Sequence, residues 1–289
     1  LRFKVSDINL VCKNTILVSY PKSGRTWLRM MLAKILKDTG IDTDKNEMIL
    51  CTHKNCNDIY KDYGKEKRIV LLIRDPGDVI VSQFHELKVS KPWQLAAPNT
   101  TISQFIRGGR LEKINKRPDA SGIPLDKSGQ RRHGINSVID WMGEWFADLK
   151  NIKEHKIITY EEMKKDTFSV LKEVVEFVGY ECDNKHIRAA VEYGSFSNMK
   201  KIEEESPAKL NDVVDFKHKF KKHGNKENPN LLRKYKGNFG KSKQATRVRR
   251  GKVRGYLDEL SESDIAYIND SKKYLLHLPL KLILRGAKY

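Results

Sequence analysis

The chain has 289 residues, enough for one large α/β domain with a full core. With 32% charged residues and a mean hydropathy of −0.62 it is expected to be soluble, and it contains no apolar run long enough to span a bilayer. Its 56 basic against 37 acidic residues give a net charge of +19, which favours anionic partners such as nucleotides, nucleic acid, sulfated glycans or an anionic membrane surface.

Residues 15–36 predict a strand, a tight turn and a helix. Residues 15–20 form a β-rich apolar run, and from Trp27 the apolar residues recur with helical spacing. The turn at 21–26 would meet the free N–H groups and the positive dipole end of that helix, an arrangement that favours an anion. The sequence therefore predicts a phosphate-binding loop. Its polar side chains are Lys22, Ser23 and Thr26.

The loop YPKSGRTW differs from the ATP/GTP-binding loop, because Gly24 is its only glycine and the lysine precedes it. At seven of its eight positions it resembles YPKSGTTW, the 5′-phosphosulfate loop of sulfotransferases that use 3′-phosphoadenosine 5′-phosphosulfate (PAPS). Arg25 stands where this family commonly has threonine, and either contacts a phosphate or faces solvent. The resemblance implies that the nucleotide is bound by Lys22, Ser23, Gly24, Thr26 and Trp27, and Arg25 is a further candidate for binding it.

A second short strand is predicted at 48–51, ending before Thr52-His53-Lys54. A lone histidine is more often structural than catalytic, but a position at a strand end favours a functional site. The segment is similar to the K-T-H element of the same family, whose histidine is the general base toward the acceptor hydroxyl, and this implies that role for His53. Cys51 replaces the lysine of that element.

The apolar run 69–73 predicts a central parallel strand followed at once by a helix. Arg74 lies at the strand's exit and Ser82 about two turns into the helix, a pattern that resembles the family's 3′-phosphate motif R-x-P-x-D-x-x-x-S. An arginine suits phosphate because its planar fork donates two hydrogen bonds. The alternative is an arginine paired with the nearby Asp75 or Asp78.

Residues 88–134 are interrupted by prolines and glycines, and we expect an irregular acceptor-side region there. Trp93 and Phe105 are either walls of the acceptor pocket or surface residues. The spacing of apolar residues over 135–149 predicts a helix that packs in the core, and 170–178 predicts another.

Residues 156–160 predict a further strand, and YEEM at its end is similar to the family's YEDM element, which implies that Tyr160 lies near the adenine. Residues 191–199 resemble the family's TSFxxM segment. That likeness implies adenine contacts for Ser195 and Phe196, with Gly194 in place of the threonine.

The basic segment 209–254 contains sixteen Lys or Arg against three Asp or Glu. It is either a solvated loop or a lid that closes on a polyanionic nucleotide. Its last part, RRGKVRGY, is similar to the family's R-K-G-x-x-G-x-W motif, which implies that Arg249, Arg250 and Gly251 close over the 3′-phosphate. The apolar tail 274–284 is interpreted as a packed terminal segment, with peripheral membrane contact as the alternative.

Four chemically apt residues follow predicted strands: Lys22, His53, Arg74 and Tyr160. Because ligands bind at the carboxyl edge of parallel α/β sheets, this convergence predicts one site there. Neither repeat nor linker divides the chain, so 1–289 is predicted to be a single domain. The resemblance implies a P-loop-NTPase-like, three-layer α/β fold with a central parallel sheet flanked by helices.

The function implied is in-line transfer of a sulfuryl group from PAPS to an acceptor hydroxyl, with His53 as base and Lys22 on the leaving oxygen. The nucleotide product would be 3′-phosphoadenosine 5′-phosphate (PAP). The acceptor would be a small molecule or a hydroxyl of a glycan or lipid. No metal is expected.

Two other functions explain part of the sequence. A P-loop kinase or hydrolase would share the fold but should carry a two-glycine loop and a metal-binding carboxylate. A nucleic-acid-binding protein would explain the net charge, but it would leave the four strand-end residues without a function. Nucleic acid is therefore not the expected partner. The four cysteines show no framework or zinc spacing, and no secretory signal is evident, which predicts a cytoplasmic location.

Overall fold

The structure is a computed structural model of the chain, and it describes residues 15–40, 50–64, 67–90, 95, 99–108, 134–205 and 249–277. Most of the predicted lid, including 209–248, lies outside the described residues, as do Trp93 and much of the acceptor-side region. Of the apolar tail, residues 278–284 are also outside them.

Four parallel strands form the central sheet in the order β2-β1-β3-β4. They are β1 (Thr15–Ser19), β2 (Leu50–Thr52), β3 (Arg68–Ile73) and β4 (His155–Thr159). Parallel neighbours require crossover connections, which the helices between the strands provide. The prediction of an α/β fold with a central parallel sheet is confirmed.

Helices occupy most of the remaining described residues. They are α1 (Arg25–Asp38), α2 (Cys56–Tyr63), α3 (Pro76–Ser90), α4 (Ile102–Ile106), α5 (Ile135–Asp148), α6 (Tyr160–Lys165), α7 (Thr167–Val178), α8 (Asn184–Tyr193), α9 (Phe196–Glu205) and α10 (Glu262–Lys272), with short 3₁₀ turns at Leu149–Asn151, Gly255–Asp258 and Lys273–His277.

Two apolar clusters bury the two faces of the sheet. Alternate side chains of a strand point to opposite faces, so Ile16 and Val18 of β1 pack with α2, α3 and α5, whereas Leu17 packs with α1, α7 and α8. Apolar residues of β1 and β3 are almost wholly buried on both sides, as expected of parallel strands covered by helices. The helical layers on both faces match the three-layer expectation.

No helix of the described residues is both long enough and apolar enough to cross a bilayer.

Candidate active site at the carboxyl edge of the sheet

The four strands all end at the same edge, and the residues that follow them form one constellation. After β1 come Tyr20 and the turn, after β2 His53, after β3 Arg74 and after β4 Tyr160. Tyr160 was predicted as a strand residue but is the first residue of α6, because Thr159 and Glu162 form a capping box that starts the helix there. Its place at the sheet edge is unchanged.

The turn after β1 has a backbone that few residues adopt. Lys22 has φ 72° and Gly24 has φ 99°, and the amide of Ser23 donates to the Tyr20 carbonyl at 3.3 Å. Helix α1 begins at Arg25, two residues earlier than predicted, so its first-turn N–H groups face the turn and leave it suited to an anion. Gly24 is needed for a second reason: a Cβ there would lie 2.6 Å from Cδ2 of Tyr160.

Arg74, predicted to hold the 3′-phosphate, contacts the main chain of Lys22 in the turn predicted to hold the 5′ end. Arg74 Nη1 donates to the Lys22 carbonyl at 3.2 Å, and its guanidinium stacks 4.1 Å from the centre of the Tyr160 ring. The Lys22 ammonium lies 3.2 Å from a carboxylate oxygen of Glu86 on α3, a partner that the sequence did not reveal.

Aromatic rings line the side of the site next to α1. Trp27 and Tyr160 meet edge to face, with ring centres 5.7 Å apart, and the Lys164 ammonium lies 5.7 Å from the centre of the Trp27 ring. The Tyr160 ring is buried in contact with Trp27 and with the Arg74 guanidinium, whereas Trp27 is partly exposed.

Asp78 joins the start of α3 to the far end of the chain. Its carboxylate accepts from the backbone N–H groups of Arg254 at 2.8 Å and Tyr256 at 3.2 Å, and lies 3.4 Å from Arg74 Nη2. Arg74 Nη2 also donates to the carbonyl of Lys252 at 3.1 Å. Burial raises the pKa of the Asp78 carboxyl, and Arg74 opposes that rise. Arg74 is therefore both paired with Asp78 and placed at the predicted nucleotide site.

The two arginines expected to close over the 3′-phosphate are held by carboxylates. Glu259 accepts from Arg249 Nη1 at 2.6 Å and from Arg250 Nη1 at 2.9 Å, and Asp258 accepts from Arg250 Nη2 at 2.8 Å. His85 Nε2 lies 2.7 Å from the second Glu259 oxygen. A phosphate at this position would compete with these carboxylates for the arginines.

The 194–196 segment meets both α1 and the 249–251 segment. The Phe196 ring, 38% exposed, lies so close to Gly251 that a Cβ there would be 2.7 Å from Cδ2. At Gly194 a Cβ would be 2.5 Å from Cγ of the buried Met31. A side chain at this position would therefore require Met31 to move. Ser195 accepts from the amide of Asn198 at 3.4 Å, near the start of α9.

Ser82 lies half-buried two turns into α3, where the sequence placed it. Within the described ranges, no group of three or more His, Cys, Asp or Glu side chains is arranged to hold a metal ion.

His53 is fixed at both ring nitrogens. Nδ1 lies 2.5 Å from the Ser19 carbonyl and therefore donates, so Nε2 is the acceptor and takes a hydrogen bond of 2.8 Å from Arg25 Nη2. Trp141 Nε1, on α5, donates to the His53 carbonyl at 3.1 Å. Burial, then the positive charge of Arg25, hold the pKa of His53 well below its ordinary range, so the ring is neutral at pH 7.

A family model described as "Sulfotransferase domain" matches residues 40–277. The chain belongs to the sulfotransferase family. Among curated members of this family, rat sulfotransferase 2A1 is 23% identical over 224 residues, 69% of this chain and 69% of that protein. Flavonol 4′-sulfotransferase of Flaveria chlorifolia is 26% identical over 211 residues, 66% of this chain and 64% of that protein.

Two solved structures share the fold of this sulfotransferase. Mouse sulfotransferase SULT7A1, complexed with PAP, matches with a TM-score of 0.58 and 20% identity over 95% of this chain and 89% of that one. Retinol dehydratase, in a complex with retinol and PAP, matches with a TM-score of 0.56 and 14% identity over 95% of this chain and 84% of that one.

The family match begins after the YPKSGRTW loop, so that loop rests on its own sequence and geometry. His53, Arg74, Tyr160, Phe196 and the arginines at 249–250 all lie inside the matched range.

Proposed function

We propose that this sulfotransferase moves a sulfuryl group from PAPS to an acceptor hydroxyl by in-line displacement, with His53 as the general base. The observation that carries the proposal is the contact of Arg74 with the backbone of Lys22. This hydrogen bond of 3.2 Å joins the Arg74 side chain to the turn after β1, which supports a single nucleotide site formed by both.

The donor would lie along the edge of the sheet. Its 5′ end would sit in the turn and its 3′-phosphate near Arg74, Ser82 and the 249–251 segment. Its adenine would pack among the rings. The residues proposed to bind the 5′ end are Lys22, Ser23, Gly24, Arg25, Thr26 and Trp27, and those near the adenine are Trp27, Tyr160, Ser195 and Phe196.

His53 has the protonation state that a general base needs. Its Nδ1–H is held by the Ser19 carbonyl, so the lone pair that would take the proton is on Nε2, where it accepts from Arg25 in the free chain. In the transfer step the acceptor oxygen forms a bond to sulfur and gives its proton to Nε2. The bond from sulfur to the nucleotide oxygen breaks, and its electron pair stays on the 5′-phosphate of PAP.

Lys22 would stabilise the negative charge that grows on the leaving oxygen, together with the N–H groups at the start of α1. This role requires the lysine to leave the Glu86 carboxylate, 3.2 Å away, when the donor binds.

The acceptor is proposed to be a small molecule with a hydroxyl group. Retinol and androsterone occupy structures of retinol dehydratase, which shares the fold. In this chain Trp141 of α5 donates to the carbonyl of His53, so α5 adjoins the proposed base and would line the acceptor side.

Calorimetry tests donor recognition. We expect PAP to bind more tightly than ATP or adenosine 5′-phosphate. Arg74→Ala should weaken PAP binding roughly 10- to 100-fold, because a hydrogen bond to a charged group contributes about 1.5–3 kcal/mol. Arg68→Ala is the matched control: Arg68 begins β3, at the opposite end from Arg74, and pairs with Glu154 at 2.6 Å.

Equal binding of PAP and ATP would refute the proposal, and so would equal losses in the two arginine variants. A second measurement addresses the base. His53→Gln should keep PAP affinity and lose transfer by about 100-fold or more. A variant that retains most of its turnover would remove His53 from the mechanism.

A further inference from the structure

Arg25 reaches the one atom of His53 on which the proposed reaction depends. It is the first residue of α1, and its Nη2 lies 2.8 Å from Nε2, the nitrogen that carries the lone pair. An acceptor hydroxyl that gives its proton to Nε2 must approach to a similar distance, about 3 Å. The guanidinium and the acceptor hydroxyl therefore compete for the same position.

Among the groups around His53, Arg25 is the one that contacts Nε2 and, after burial, the main cause of its lowered pKa. Toward α1 it faces the positive charges of Arg25 and Arg29, and toward β1 it faces the uncharged Ser19 carbonyl. From α5 the indole of Trp141 bonds to the main chain of His53 and not to its ring. Arg25 is thus the group hydrogen-bonded to Nε2, and Arg29 acts only through its field.

Arg25 also belongs to the anion-binding turn. Arg25 directly follows Gly24 at the start of α1, where the N–H groups of the first turn attract an anion. An anion bound there would lie within reach of the Arg25 side chain. A guanidinium bonds more strongly to an anionic oxygen than to a neutral imidazole nitrogen, because both partners are then charged. An arriving phosphosulfate therefore offers Arg25 a better partner than His53.

We propose that Arg25 is a positioning residue that occupies Nε2 of His53 in the free enzyme and moves to the phosphosulfate when the donor binds, so that the base is uncovered only in the donor complex. The inference rests on the proposed function and adds an order to it. The donor binds first, Nε2 is released, and the acceptor hydroxyl then takes the position that the guanidinium held. No proton moves in this exchange, since arginine stays charged and His53 stays neutral.

The test follows His53 by NMR in the full chain labelled with ¹⁵N and ¹³C histidine, with the His53 signals assigned by His53→Gln. The free and PAP-saturated proteins are compared. In wild type we expect PAP to move the Nε2 signal away from that of a hydrogen-bonded acceptor and to raise the pKa of His53. In Arg25→Gln the pKa should already be raised without nucleotide, and the Nε2 signal should respond much less to PAP.

Two further variants distinguish the loss of the Arg25 hydrogen bond from the loss of a positive charge and from a general loss of structure. Arg29→Gln removes a positive charge one turn along α1 but leaves the Arg25 contact, so its Nε2 response to PAP should persist. Arg25→Gln should raise the KM for PAPS about tenfold, the loss expected for one charge-assisted hydrogen bond. Arg25→Lys, which keeps the charge, should restore most of that loss.

The outcomes separate the two proposals. PAP that binds tightly to wild type without moving the His53 signals would overturn the role of Arg25 alone. Identical His53 responses in Arg25→Gln and Arg29→Gln would do the same. A wild-type chain that fails to bind PAP would overturn the proposed function, and this inference with it.

Discussion

Replacing Gly24 by alanine is expected to cost both stability and nucleotide binding. The residue has φ 99°, a conformation that costs a residue with a Cβ about 1–2 kcal/mol. A Cβ would also lie 2.6 Å from Cδ2 of the Tyr160 ring, and such overlap in a packed region costs about 1–3 kcal/mol. The less flexible unfolded chain returns about 0.4–1 kcal/mol. The expected net loss is about 3 kcal/mol.

Gly40→Ala is the matched control, because Gly40 follows the other end of α1 with φ 68° and nothing lies within 4 Å of the Cβ position. This variant carries the backbone cost alone, so it should lose only about 1 kcal/mol. Urea unfolding of both variants at an unchanged m-value measures the difference, about 2 kcal/mol, which reports the contact with Tyr160.

The same overlap should disturb the site. Tyr160 can relieve it only by moving, and its ring supports the Arg74 guanidinium at 4.1 Å. We expect Gly24→Ala to weaken PAP binding about tenfold or more, and Gly40→Ala to leave it at the wild-type value. Equal losses of stability in the two variants, or native PAP affinity in Gly24→Ala, would refute the reasoning.

Three further predictions concern stability. Burial and Arg25 lower the pKa of His53, so below pH 6.5 the unfolded chain binds a proton that the folded chain does not. As the pH falls below 6.5, the free energy of unfolding of wild type should therefore decrease by up to about 1.4 kcal/mol per pH unit more than that of His53→Gln. Parallel curves of unfolding free energy against pH would contradict this. Asp78→Ala should lower the free energy of unfolding by about 3 kcal/mol, because two backbone N–H groups of the 254–256 turn lose their acceptor. A denaturant midpoint equal to that of wild type would contradict this prediction. Gly194→Thr should lower the free energy of unfolding by about 1–3 kcal/mol through contact with Met31. In a double-mutant cycle with Met31→Ala, the two substitutions should show a coupling energy above about 1 kcal/mol. Strictly additive losses would show that the contact with Met31 is not what disfavours threonine.

Local patterns were enough to predict parallel strands and the sheet edge at which the candidate residues lie. The strand at Arg68–Ile73 and the helix at Ile135–Asp148 follow from hydrophobic runs and spacing, which depend only on near neighbours in the chain. The start of α6 was missed although its signal was present: Thr159 followed by Glu162 is a capping-box pattern.

Contacts between distant residues were beyond the sequence pattern. The hydrogen bond between Arg25 and His53 joins residues 28 positions apart and depends on where the fold places the start of α1 relative to the end of β2. The resemblance implied that Arg249 and Arg250 bind a phosphate, but no sequence pattern indicated that the carboxylates at 258–259 pair with them. Side-chain partners of this kind are set by the tertiary fold, which periodicity does not encode.

The hydrogen bonds that Asp78 accepts from the 254–256 turn have a consequence for the order in which the protein folds as it is synthesised. Strands β1 to β4 are complete once residue 159 has been made, yet the Arg74 side of the pocket receives its last backbone partners from residues almost a hundred positions later. A nascent chain therefore contains strands β1 to β4 well before it contains these backbone partners of Arg74 and Asp78. A product that stops short of that turn would carry His53, the proposed base, and still lack these contacts of Arg74 and Asp78.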